Sequence, residues 1–137
     1  MKRIDAYLFF EENCREAMTF YHECFGGELF MQSVGDTPAA SHMPPHMSNF
    51  IMHASIKNDN VILMASDNCM GQPIVKGKDV SLAISCNSVE ELNDLFARLC
   101  AGGKVISQPK LEFWGDTFGS LVDKYGFNWM LFHNANQ

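Results

Sequence analysis

The sequence predicts an α+β fold built from two copies of one unit, strand–helix–strand–strand–strand. Three observations carry this. The stretch Tyr7 to Val34 reads as a short apolar run, a capped amphipathic helix, Gly-Gly and a second apolar run, and Ser81 to Pro109 reads the same way. The two helical faces superimpose with a shift of about 75 residues: Cys14, Ala17, Phe20, Tyr21 and Cys24 fall on Val89, Leu92, Leu95, Phe96 and Leu99. Short β-rich runs bounded by Gly, Asn, Asp or Pro surround both helices. One copy of such a unit does not close its own core, so the copies are expected to pack on each other. The surface between them is then the natural place for a ligand. At 137 residues the chain is expected to be a single domain, 1–137, with repeat one at about 4–70 and repeat two at about 78–135.

The elements follow in order. Ala6–Phe10 is the first predicted strand. The first helix starts at Asn13, a good N-cap, with Glu16 placed to reach back in a capping box. Apolar residues at 14, 17, 18, 21, 24 and 25 form one stripe, and Gly26-Gly27 ends it. Strands follow at Glu28–Val34, Phe50–Lys57 and Val61–Ser66, the last two joined by the turn Lys57-Asn58-Asp59-Asn60. Between the first two, Gly35 to Asn49 is rich in Pro, Met and His, shows no periodicity and reads as a loop. The second copy begins with the strand Val80–Cys86. Its helix starts at Ser88, with Glu91 completing S-x-x-E; the stripe is Val89, Leu92, Leu95, Phe96 and Leu99, and Gly102-Gly103 ends it. Strands at Lys104–Ser107, Thr117–Asp123 and Trp129–His133 complete the copy, with a turn at Tyr125-Gly126.

Composition narrows the function classes. The hydrophobic fraction is 47% and the charged fraction 19%, which fits a chain that buries a core. A net charge of −6 argues against nucleic acid or an anionic membrane as the main partner. No apolar run approaches the roughly 20 residues needed to span a bilayer, and the N-terminal run is too short and too acidic for a signal peptide. The five cysteines form no CxxC pair, and Cys14, Cys24, Cys86 and Cys100 fall on apolar faces. They read as reduced, buried thiols of a cytoplasmic protein.

Several runs resemble a known family. They are Tyr7-Leu8-Phe9-Phe10 leading to Asn13, Glu16-Ala17, Phe20-Tyr21, and His53-Ala54 followed by Leu63-Met64-Ala65-Ser66-Asp67. Phe113-Trp114-Gly115-Asp116, Phe118-Gly119, Asp123-Lys124-Tyr125-Gly126 and Trp129-Met130 complete the set. Their order and spacing resemble the vicinal oxygen chelate (glyoxalase, bleomycin resistance, extradiol dioxygenase) superfamily, and within it the PhnB-like, demethylubiquinone methyltransferase-like subgroup. The resemblance covers nearly the whole chain. It implies two curved mixed sheets with helices outside, a concave pocket and a homodimer.

Metal enzymes of the superfamily take four ligands, one from the first and one from the last strand of each half, to hold a divalent ion that acts as a Lewis acid. Laid on that pattern, the positions here are Ala6 or Tyr7, Met64, Ser81 and Met130. Thioether is a poor ligand for hard divalent ions and Ala offers none. The expectation is therefore no metal and no cofactor. His42 and His46 flank Met43-Pro44-Pro45, where the prolines oppose a helical ligand pair. His22 and His133 read as solvated.

His53 is different. Strand alternation puts Ile51, His53 and Ser55 on one face. His53 either faces the cavity, as a general base or ligand contact, or is a buried histidine satisfied by a neighbour. The expected ligand contacts are Tyr7, Phe9, His53, Ser55, Met64, Ser81, Trp114 and Met130, with Ile62, Ser66, Ala83, Ser85, Asn128 and Phe132 following by period two. That lining suits a small, partly aromatic organic molecule. Trp114 reads either as a stacking residue or as a core or interface aromatic. Asp67 and Asp116 read as turn or cap residues before pocket groups. The favoured function is a metal-free small-molecule binder. The alternative is a glyoxalase- or dioxygenase-type enzyme with a non-standard metal site or a His53-centred site. A methyltransferase is disfavoured, because Glu11-Glu12-Asn13 after the first strand holds no glycine for close cofactor approach.

Overall fold

The computed structural model describes residues 2–135. The chain divides into two compact units, Met1–Val75 and Lys76–Gln137. The first contains β1 (Ala6–Phe10), α1 (Cys14–Phe25), β2 (Glu28–Ser33), β3 (Ile51–Lys57) and β4 (Ile62–Asp67). The second contains β5 (Leu82–Ser85), α2 (Val89–Cys100), β6 (Lys104–Leu111), β7 (Asp116–Val122) and β8 (Asn128–Asn134). The sheet orders are β1-β4-β3-β2 and β5-β8-β7-β6. In each, the first strand of the unit pairs parallel to the last, and the remaining neighbours are antiparallel. The duplication read from the sequence is thus a duplication of topology.

Each helix seals one face of its own sheet. Cys14, Ala17, Met18 and Tyr21 are fully buried on α1, Ala54, Ile56, Leu63 and Ala65 bury on β3 and β4 against it, and Leu8 and Phe10 of β1 are buried on the same face of the sheet. In the second unit Leu92, Phe96 and Leu99 of α2 bury with Leu121, Trp129 and Leu131. Each large apolar side chain so buried contributes roughly 2 kcal/mol. Val89, placed on the stripe by periodicity, is 43% exposed because it occupies the first position of the helix.

The two Gly-Gly pairs do more than end helices. Gly26 has φ 69°, which only glycine adopts cheaply. The second glycine of each pair lets a strand approach: a Cβ at Gly27 would lie 2.7 Å from the Lys57 carbonyl oxygen, and one at Gly103 would lie 2.3 Å from that of Val122.

Four local readings are corrected. Asn13 makes no side-chain cap bond to α1; Asp67, at the end of β4, accepts from the Cys14 amide instead. At α2 the Ser88 hydroxyl does accept from the Glu91 amide, but Glu91 reaches back to the Asn87 amide, one residue earlier than in a standard box. Gly35 to Asn49 is not featureless: 3-10 turns at Val34–Asp36, Pro38–His42 and Pro45–Met47 occupy it, and in the last two a proline supplies the φ of a first helical position. Finally, β6 runs on through Pro109 to Leu111, with two irregularities in its register. Pro109 is tolerated because β6 is an edge strand.

Candidate functional site

On the first sheet, the face away from α1 carries the candidate site. In a strand ladder, opposite residues share a face. Tyr7 lies opposite Met64, Met64 opposite Ser55, and Ser55 opposite Phe30. In the adjoining row Phe9 lies opposite Ser66 and His53 opposite Gln32. Leu8, Phe10, Ala54 and Ala65 point the other way, into the helix-covered core. The register decides between the two candidates on the first strand. Tyr7 shares the face of Met64; Ala6, opposite Leu63, does not.

Tyr7 Oη and His53 Nδ1 are hydrogen-bonded at 3.1 Å. Their ring centroids are 5.8 Å apart. Phe9 lies 5.1 Å from Tyr7, and Phe30 lies 6.4 Å from His53. Tyr7, Phe9 and Phe30 remain 37%, 53% and 50% exposed, whereas Ser55 and Ser66 are buried. The result is an aromatic surface around one phenol–imidazole pair. Such rings offer stacking area, and the pair supplies the polar contact that orients a ligand. Phe30 and Gln32 were absent from the sequence-derived set. Their alternation on a strand that faces His53 is the signal that could have found them.

The second sheet offers a different face. Ala83 lies opposite Met130, and Met130 opposite Ser120. Ser85 lies opposite Phe132, and Phe132 opposite Phe118. The residue opposite Met130 is therefore Ala83 and not Ser81, which is exposed and precedes β5. The repeat aligns Met64 with Met130 and Tyr7 with Ala83, so the second unit has no phenol at that position. Trp114 is 52% exposed, and its ring packs edge-on at 5.0 Å from Phe113 and 6.2 Å from Phe118. It is not a core residue. Asn128 is engaged locally, its amide nitrogen donating to the carbonyls of Gly77 and Val80. Asp116 Oδ1 is buried with no hydrogen-bond partner among the described residues.

Other polar residues prove structural. Asp67 accepts from the amides of Cys14 at 2.9 Å and Ile51 at 2.8 Å. Burial raises its pKa, and the two amides offset part of that rise. Burial also pushes the Cys14 thiol up to about 12 and the Cys86 thiol up to about 11, so both behave as packed apolar groups. Among the described residues none of the five cysteines forms a disulfide, and Cys24 and Cys100 are half-buried. Two histidines read as solvated are engaged: His22 Nε2 bonds the Gly27 carbonyl at 3.0 Å, and His133 Nδ1 bonds that of Cys86 at 2.9 Å. Both complete carbonyls at element ends.

The superfamily's divalent ion does not fit these residues. The first unit offers a phenol already bonded to imidazole and a thioether, and the second a thioether and a methyl group, so three of the four residues give a hard cation no oxygen or nitrogen ligand. Among the described residues no three His, Cys, Asp or Glu side chains gather as ligands. His42 and His46 are exposed on the 3-10 turns and add no such group.

The sequence profile of a family described as 3-demethylubiquinone-9 3-methyltransferase matches residues 2–132. Protein YjdN of Escherichia coli (strain K12) is 30% identical over 138 residues, 93% of this chain and 92% of YjdN. The chain belongs to the 3-demethylubiquinone-9 3-methyltransferase family. The solved protein PA1353 from Pseudomonas aeruginosa is 36% identical, the match covers 98% of each chain, and the two superimpose with a TM-score of 0.87. The fold itself is that of the glyoxalase/bleomycin resistance superfamily. A glyoxalase/bleomycin resistance protein/dioxygenase family enzyme from Burkholderia phytofirmans superimposes with a TM-score of 0.64 at 14% identity, over 95% of this chain and 98% of that one. No helix among the described residues is long and apolar enough to cross a membrane.

Proposed function

We propose that this family member binds a small organic molecule with a planar, partly aromatic body on the exposed face of its first sheet. The single observation that carries the reading is the Tyr7–His53 hydrogen bond set among the half-open rings of Phe9 and Phe30. Stacking area and one polar pair are what such a ligand needs. Met64 at the floor supports a binding surface over a chelating one. Trp114 gives the second unit an exposed aromatic of its own, and in this reading the protein acts as a homodimer.

A methyl transfer is not part of the proposal. The turn from β1 to α1 is Glu11-Glu12-Asn13, with no glycine to admit a cofactor closely. A second reading, an acid–base enzyme of glyoxalase or dioxygenase type, is favoured by the same Tyr7–His53 pair, because a phenol hydrogen-bonded to an imidazole offers both a proton donor and an acceptor.

Saturation-transfer NMR against benzoate, 4-hydroxybenzoate, catechol and related planar compounds tests the binder. At least one should receive saturation, and a Phe9→Ala/Phe30→Ala double variant should reduce it. No transfer to any compound, or transfer unaffected by the double variant, overturns the proposal. Turnover of a bound compound that His53→Ala abolishes would favour the second reading.

A further inference from the structure

The Tyr7–His53 contact also determines what the imidazole offers outward. A neutral imidazole carries one N–H and one bare nitrogen, and the partner of one ring nitrogen sets the role of the other. Here Nδ1 meets the phenol oxygen at 3.1 Å. A neutral phenol is a strong donor and a weak acceptor, while the bare imidazole nitrogen is the strongest neutral acceptor among side chains. The favoured arrangement therefore has Tyr7 donating to Nδ1. The ring proton then lies on Nε2, which has no protein partner among the described residues.

We infer that Tyr7 is a positioning residue that holds His53 as the Nε2–H tautomer, so that the first-sheet face presents one N–H donor and selects aromatic ligands bearing an anionic oxygen, a carboxylate above all. This rests on the binding reading given under Proposed function and adds the ligand's polar group to it. Phe9 and Phe30 take the planar body. The second unit cannot duplicate the device, since Ala83 stands at the position of Tyr7. No proton leaves the pair, so the assignment is one of recognition and not of catalysis.

Two measurements separate this inference from the reading beneath it. The first uses ligand-free protein labelled with 15N-histidine and long-range 1H–15N correlation above the imidazole titration. His53 should appear as the Nε2–H tautomer, and Tyr7→Phe should convert it to a mixture while the other four histidines keep their signals. A wild-type Nδ1–H tautomer, or no change in Tyr7→Phe, overturns the positioning role. The second compares sodium benzoate with benzylamine hydrochloride, which share a ring and carry opposite charge. Benzoate should bind more tightly, and His53→Ala should weaken it about tenfold, as expected for loss of one charge-assisted hydrogen bond. The chain's net charge of −6 works against the anion, so its preference would report the local donor. Equal binding of the two probes, or tighter benzylamine, overturns the selection. If no planar compound binds while the tautomer is as expected, the binding reading fails and the Tyr7–His53 assignment stands.

Discussion

The Cys14 amide donates to the Asp67 carboxylate at 2.9 Å, tying the first turn of α1 to the end of β4 across 53 residues of sequence. The second carboxylate oxygen accepts from Ile51 at the start of β3 at 2.8 Å. One buried side chain thus satisfies a helix end and a strand end together. Asp67→Asn keeps the size but replaces one acceptor with a donor facing an amide. It should cost about 2 kcal/mol at neutral pH, the usual range for leaving a buried donor unmet. Urea unfolding against wild type checks this, and a loss within error would reduce Asp67 to a bystander.

Cys14 gives an alkaline signature. Its thiol is raised from 9.0 to about 12, burial being the largest cause and the Asp67 charge the next. The folded chain holds this proton more tightly than the unfolded chain. Its contribution is complete below the unfolded value and is lost as pH rises from about 9 toward about 12. Stability of wild type minus that of Cys14→Ala should fall across that window; a flat difference would contradict the shift. At neutral pH, iodoacetamide should modify Cys14 and Cys86 only after denaturation, as read by mass spectrometry.

The two kinds of glycine separate cleanly. Gly103→Ala drives a methyl against the Val122 carbonyl and should cost about 2 kcal/mol through overpacking. Gly26→Ala meets nothing within 4 Å but keeps φ 69° and ψ −155°, a region essentially confined to glycine, and should cost about 2 kcal/mol through conformation alone. Thermal unfolding against wild type checks both variants, and a Gly103→Ala midpoint equal to wild type would contradict the close approach of β7.

His53→Ala should reduce binding of planar aromatic compounds while leaving the unfolding midpoint within about 0.5 kcal/mol of wild type. The ring is half-buried, and its hydrogen-bond partner Tyr7 is open to solvent. Unchanged binding would remove His53 from the site.

Elemental analysis of protein purified without chelator should give well under one equivalent of Ni, Zn, Mn or Fe. Stoichiometric metal whose loss follows substitution of Tyr7 or Met64 would overturn the reading of these positions.

The sequence by itself determined the duplication, both helices and the order of all eight strands, with β6 read four residues short, because these follow from short-range signals: stripe, glycine pair and alternation. It also placed Met64 and Met130 at equivalent points. Register decided the rest. That Tyr7 rather than Ala6 faces outward depends on a one-residue phase that exchanges the two faces of a strand; that Ala83 rather than Ser81 lies opposite Met130 depends on a two-residue shift of pairing that keeps the face. The cap from Asp67 and the Tyr7–His53 bond join residues 53 and 46 apart, and no local pattern encodes a partner at that distance. Strand periodicity brought His53 to a face; only the pairing of β1, β4 and β3 brought it to Tyr7.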